Sequence, residues 1–215
     1  MDFVKDYRFG AHLSIAGGYD QALTRAKNIG ANCLQIFSSP PRNWSIKSPA
    51  RQEIDLFLRT KKQLGIEPIY FHTTYLINLA SQEAVGKKSV EFLIKELNLA
   101  EKLEIKGSIV HLGSYKEEKT PAKYKLLIKN IQTILNKTPE KTLFIIENAG
   151  NRKIGADLDE ISQIVNDLNN KRIRVCLDSC HLWSTGNDLS DNSKLEKFLK
   201  IFDRKIGLDR LELWH

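Results

Sequence analysis

Short apolar runs alternate with longer amphipathic stretches along the whole 215-residue chain, and this alternation constrains the fold more than any other feature. The runs Phe9–His12, Cys33–Phe37, Pro68–His72, Ser108–Leu112, Leu143–Glu147, Ile173–Asp178 and Leu211–His215 carry β-branched or aromatic residues, as buried parallel strands do. Between them, Tyr124, Leu127, Ile128, Ile131 and Leu135 recur at helix spacing, as do Val90, Leu93, Ile94 and Leu97. Ser48-Pro49 and Thr120-Pro121 read as helix caps followed by proline at the first helical position. Gly30, Gly65 and Gly207 sit where helices should stop. A strand and a helix in roughly every 35 residues, with no linker between them, predict an α/β fold with a parallel sheet. The expectation is one domain over residues 1–215.

Polar residues decide between two parallel-sheet architectures. All five histidines, His12, His72, His111, His181 and His215, lie at or within three residues of the C-terminal end of a predicted strand. Glu147 and Asp178 occupy the same place on two further strands. A doubly wound sheet gathers ligands only at its switch point, whereas a (β/α) barrel converges side chains from many strands on one rim. The pattern predicts a barrel.

Imidazoles and carboxylates without thiolate suit Zn²⁺, and less well Mn²⁺ or Fe²⁺. One carboxylate can bridge two ions about 3.5–4 Å apart, the spacing that clamps an in-line phosphoryl displacement. A lone histidine is more often a hydrogen-bonded rim or core residue. Five with two carboxylates at matching strand ends point to metal. His12 stays open between ligand, orienting group and phosphate contact. Cys176 alternates with Val175 and Leu177 and reads as a buried structural thiol.

Composition excludes whole classes. No apolar run reaches the roughly 18 residues of a membrane span. The start, Met1 to Asp6, lacks the apolar stretch of a signal peptide. Three cysteines, Cys33, Cys176 and Cys180, are too few and odd in number for a disulfide framework, so a cytoplasmic protein is expected. The 33 Lys and Arg against 26 Asp and Glu leave a net charge of +7, which suits a polyanionic partner but is a weak signal alone.

Several segments resemble endonuclease IV, the zinc-dependent apurinic/apyrimidinic (AP) endonuclease family on a TIM-type (β/α) barrel of the xylose-isomerase-like superfamily. They are Gly10-Ala11-His12-Leu13-Ser14 with Ala16-Gly17-Gly18, His72-Thr73-Thr74-Tyr75-Leu76-Ile77-Asn78-Leu79, and His111-Leu112-Gly113-Ser114. Ile146-Glu147-Asn148-Ala149-Gly150 follows, then Cys176-Leu177-Asp178-Ser179-Cys180-His181 with Gly186-Asn187-Asp188-Leu189. The resemblance implies His72 and His111 as ligands of one zinc and Glu147 as the carboxylate bridging it to a second. It implies Asp178 and His215 as further ligands of the second and His181 as a ligand of a third. Glu147 and Asp178 would thus stand at the reacting centre.

The same resemblance implies a substrate, double-stranded DNA with abasic sites or blocked 3′ ends, cut 5′ to the lesion to leave a 3′-hydroxyl and a 5′-deoxyribose phosphate. It makes Arg42, in Pro40-Pro41-Arg42-Asn43-Trp44, and Tyr75-Leu76 the residues pushed into the duplex, where they fill the gap left by the missing base. It also implies a monomer. Read without the resemblance, Tyr75 and Leu76 cover a barrel mouth, Arg42 is a surface cation and Trp44 fills loop space.

Departures from the family pattern set further expectations. The family continues past the position of His215 with an Asp-x-His pair and a glutamate from an eighth strand, which complete its zinc sites. Seven strands are countable here against the eight of a closed barrel, so the chain reads as truncated, with strand edges open to association. The two-metal set His72, His111, Glu147, Asp178 and His215 survives. Leu112 stands where the family usually has proline, and the turn at Asn148 to Asn151 is short. Two other functions remain open: a metal-dependent sugar isomerase or epimerase of the same superfamily, and a non-catalytic remnant that binds damaged DNA.

Overall fold

The computed structural model describes residues 7–215; the stretch read against a signal peptide, Met1 to Asp6, lies outside the described residues. Seven parallel strands form one sheet, each paired with its neighbours in sequence. They are β1 (Gly10–His12), β2 (Cys33–Phe37), β3 (Ile69–His72), β4 (Gly107–Val110), β5 (Leu143–Glu147), β6 (Ile173–Leu177) and β7 (Leu211–Trp214). Helices α1 (Tyr19–Asn28), α2 (Arg51–Leu64), α3 (Ala84–Lys102), α4 (Pro121–Asn136) and α5 (Leu158–Leu168) connect successive strands. Two helices, α6 (Ser179–Ser184) and α7 (Asn192–Lys205), fill the last connection. Among the described residues no helix is long and apolar enough to cross a membrane.

Local chemistry explains most boundaries. Thr120 accepts the Lys123 N–H and Pro121 opens α4, as its sequence predicts. Asp157, Asp178 and Asp191 cap α5, α6 and α7 in the same way. Gly65 ends α2 in the left-handed conformation at φ 65°, open to glycine at no steric cost. Ser48-Pro49 does not cap α2, contrary to the sequence reading. The helix begins at Arg51 after Ala50, and the Glu53 carboxylate reaches back to accept the Ala50 N–H at 2.7 Å. Pro49 therefore lies in the lead-in to the helix.

The central strands bury two faces. On the inner face, Tyr70, Ile109, Ile145 and Cys176 form a small cluster with Leu143 and Leu213 packed against it. Alternate positions, among them Ile69, Phe71, Val110, Phe144, Ile146, Val175 and Leu177, pack outward into the helix layer. β3, β4 and β5 are buried on both sides along nearly their whole length, as central parallel strands are.

The sheet is strongly curled. Five inter-strand steps would separate β2 from β7 by roughly 24 Å in a flat sheet, yet Gln35 on β2 hydrogen-bonds His215, just past β7, at 2.6 Å. Across four steps, the Tyr70 hydroxyl of β3 donates to Glu212 of β7 at 2.6 Å. A bulge at Val175/Cys176 makes Glu212 the extra residue of β7 and admits it to the interior. Among the described residues β1 and β7 pair with no further strand, so a cavity of about 700 Å³ opens between them, lined by Arg8, His12, Gln35, Tyr70, Glu212 and His215.

Candidate metal centre

The period of two along each strand builds the site. Tyr70, Ile109, Ile145, Cys176 and Leu213 floor the interior, and the residue two positions on from each is His72, His111, Glu147, Asp178 and His215. Successive same-face positions thus convert an apolar floor into a polar ring at the C-terminal mouth.

Glu147 is the hub, with 2% of its surface exposed. Its Oε2 lies 3.2 Å from His72 Nε2 and 3.1 Å from His111 Nε2. Its Oε1 lies 3.2 Å from His215 Nδ1 and 3.7 Å from His181 Nδ1. Three groups of donor atoms are close enough to hold a metal ion: His72, His111 and Glu147; Glu147, Cys176 and His215; and Glu147, Asp178 and His181. Glu147 belongs to all three. Asp178 and His215, paired by the resemblance, fall in different groups, and one Asp178 oxygen caps α6, accepting the His181 N–H at 2.7 Å. Cys176 is within reach, but burial in the floor pushes its thiol well above the ordinary range, which disfavours the thiolate that a metal requires.

Charge in the ring is sharply divided. Burial pushes the Glu147 carboxyl up, but hydrogen bonds from His215 and His72 and the charge of His111 outweigh it and hold the group well below the usual carboxylate range. Burial lowers His72 too, yet the bond to Glu147 and its charge prevail and the ring is raised. His111 drops to about 4, because burial and the neighbouring His72 and His181 together exceed the attraction of Glu147. His12 also falls to about 4, through burial and then through His72 and His215.

A second layer orients the ring. His72 Nδ1 donates to the Thr73 carbonyl at 2.9 Å, turning Nε2 toward Glu147. His181 Nδ1 bonds the Asn148 carbonyl at 3.0 Å, leaving Nε2 to face away from that contact. The buried Asn148 amide accepts the Asp178 N–H at 2.5 Å and donates to the Asp178 carbonyl at 3.3 Å, locking β5 to the end of β6. Behind His72, the fully buried Glu96 of α3 accepts hydroxyls from Ser38 and, at 2.5 Å, Ser108. Gln35, Asn148 and Glu96 escaped the sequence reading as site residues. Only a polar residue on an apolar strand or helix face signalled them.

The rim holds the remaining candidates. Pro41 accepts the Tyr75 N–H at 3.1 Å and the Thr74 hydroxyl at 2.7 Å, which stitches the loop carrying Arg42 to the loop after β3. Tyr75 is 60% exposed, with its ring 5.7 Å from that of His72. Leu76 is half-buried beside it and Arg42 is exposed. Trp44 packs edge-on against Phe92 and fills loop space. His12 falls in none of the three donor groups; its ring packs at a tilt, 4.2 Å from Phe37, and its Nδ1 meets the Gln35 amide at 2.9 Å.

A family profile described as xylose isomerase-like TIM barrel matches residues 23–215. A probable endonuclease 4 of Persephonella marina is 34% identical over 212 residues, spanning 97% of this chain and 74% of the relative. The chain belongs to the endonuclease IV family. Among solved structures, endonuclease IV from Thermus thermophilus superimposes with a TM-score of 0.86 at 30% identity, over 97% of this chain and 76% of that one. A 3-keto-D-glucoside 4-epimerase from E. coli also shares the fold, with a TM-score of 0.71 at 11% identity over 98% of this chain and 78% of that one. That second likeness concerns the barrel alone; the endonuclease IV likeness extends through the sequence.

Proposed function

We propose that the chain is a metal-dependent AP endonuclease that hydrolyses the phosphodiester 5′ to an abasic site, and that the same centre trims blocked 3′ ends. The observation that carries this reading is the division of Glu147, whose two oxygens face two different sets of imidazoles. His72 and His111 with Oε2 would hold one ion and His215 with Oε1 a second, while Asp178, grouped with His181 and Glu147, stands on the side of a third. His181, held by Asn148, would ligate that third ion. Nitrogen and oxygen donors around a low-pKa carboxylate fit Zn²⁺, with Mn²⁺ the next best match. Ions bound there supply Lewis-acid activation of the phosphate, lower the pKa of water and neutralise charge on the leaving oxygen.

The chain's own groups supply the rest. Glu147 keeps its charge in a nearly sealed setting, and Asp178, anchored by Asn148 and α6, aims its carboxylate at the mouth. Tyr75 and Leu76, braced through Pro41 against the Arg42 loop, stand where a duplex would meet the mouth and would occupy the space of a missing base. The net charge of +7 favours a polyanion, so affinity for DNA should fall steeply with salt.

The test is a duplex carrying one abasic site. Zinc-loaded protein should nick it 5′ to the lesion, chelation should abolish the nick, and Glu147→Gln should slow it by a factor of about 100 or more. Cleavage by Glu147→Gln at the native rate overturns the proposal.

A further inference from the structure

We infer that Gln35 is a positioning residue that fixes the ring tautomers of His215 and His12 and so prepares His215 to bind metal. The inference rests on the proposed metal centre and goes beyond it, since Gln35 is neither a ligand nor part of the rim. Gln35 sits on β2 opposite His12 of β1, on the inner face. Its side chain crosses the opening between β1 and β7: Nε2 lies 2.9 Å from His12 Nδ1 and Oε1 lies 2.6 Å from His215 Nε2.

A carboxamide has a donor end and an acceptor end, so it imposes opposite demands on its two neighbours. With Oε1 toward His215, the amide accepts that ring's Nε2–H. In the neutral ring that a metal requires, the lone pair of His215 then sits on Nδ1, the atom 3.2 Å from Glu147 Oε1 and the one that donates to that carboxylate when the ring is doubly protonated. With Nε2 toward His12, the amide donates to His12 Nδ1, so that ring carries its proton on Nε2 as a neutral donor near the mouth. The reversed amide would require a proton on His215 Nδ1, which would point at Glu147 and block any ion between them. Only the first orientation is compatible with metal on the His215 side of Glu147. His72 achieves the same end through the Thr73 carbonyl at 2.9 Å. His215, at the end of β7, takes its orienting acceptor from a strand five places away.

Two measurements on the folded full chain test this. In zinc-loaded protein, ¹⁵N-detected imidazole spectra should show His215 protonated at Nε2 and His12 protonated at Nε2. Zinc titration against a competing chelator should show one of the bound ions, the one on the His215 side of Glu147, loosened about 10- to 100-fold in Gln35→Leu. Gln35→Glu keeps an acceptor for His215 and should restore affinity to within about threefold of native. Circular dichroism of each variant confirms folding, and Gln35→Met serves as a second apolar variant if Gln35→Leu does not fold.

Native affinity in a folded Gln35→Leu or Gln35→Met chain, or a His215 ring protonated at Nδ1 in the zinc-loaded protein, overturns the inference and leaves the proposed function standing. A native chain that takes up no zinc overturns both. Loss in the apolar variants without recovery in Gln35→Glu assigns Gln35 a packing role and likewise overturns it.

Discussion

Glu147 and the imidazoles around it set the acid–base behaviour of the metal-free protein residue by residue. His111 titrates at about 4 in the fold against 6.5 in an unfolded chain. Between those values the unfolded chain binds a proton that the folded one refuses, so stability falls as pH drops through that window. His72 is raised, and its contribution is complete below 6.5 and lost as pH climbs through its elevated value. Glu147 is depressed, and its contribution is lost only as pH falls below the ordinary carboxylate value of 4.5. Chelator-treated protein should therefore be most stable near pH 6.5 and lose about 1 to 3 kcal/mol on the way to pH 4.5. Urea unfolding at a series of pH values measures this, and His111→Gln should make the acid limb shallower, the remainder coming from His12, which is also lowered to about 4. The histidines and Glu147 were legible because each lies at or shortly past the end of a strand. Gln35 and Asn148 were not, because a single amide in an apolar strand has no meaning until curling of the sheet gives it a partner.

At the level of elements, legibility depended on whether the signal was local. Thr120-Pro121 specifies its helix start through one side-chain bond within four residues, and the structure follows it. Ser48-Pro49 carries the same signature, but Glu53 offers the Ala50 N–H a competing acceptor and the start moves to Arg51. Arg172 was invisible for the opposite reason, since its partners are remote. Its buried guanidinium donates to the carbonyls of Leu135 at 2.7 Å, Thr142 at 2.9 Å and Thr138 at 3.3 Å. It thereby caps the C-terminal end of α4 and ties that helix to the starts of β5 and β6. Arg172→Met leaves three carbonyls short of a donor and should cost about 2–4 kcal/mol in chemical denaturation. Metal affinity should stay native, because the guanidinium lies at the opposite end of the strands from Glu147. A stable Arg172→Met protein would mean that water replaces the lost donors.

The molecule as a whole is a curled sheet whose two edges depend on contacts across its interior. The seven-strand order and the mouth of polar residues were readable from the repeat and from where the histidines fell. How β7 is held in the curl was not, because that depends on the bulge that turns Glu212 inward. There Glu212 accepts from Tyr70 and from Lys106, each at 2.6 Å, with Arg174 at 4.0 Å, a clasp from β7 to β3, β4 and β6. Its side chain is only 9% exposed, so these bonds are little weakened by water. The central strands β3, β4 and β5 are buried along nearly their whole length, whereas β1 and β7 are half-exposed. Hydrogen exchange should therefore be slowest in β3 to β5 and fastest in the two edge strands. Glu212→Ala removes the clasp while leaving the β6–β7 ladder, so β7 amides should exchange roughly tenfold faster with β4 and β5 unchanged. Because His215 ends β7, the same variant should also loosen the ion on the Oε1 side of Glu147, with the His72–His111 side unaffected. Uniform acceleration across all strands would instead mean that the sheet opens as one unit and that the interior contacts add nothing local to the ladder.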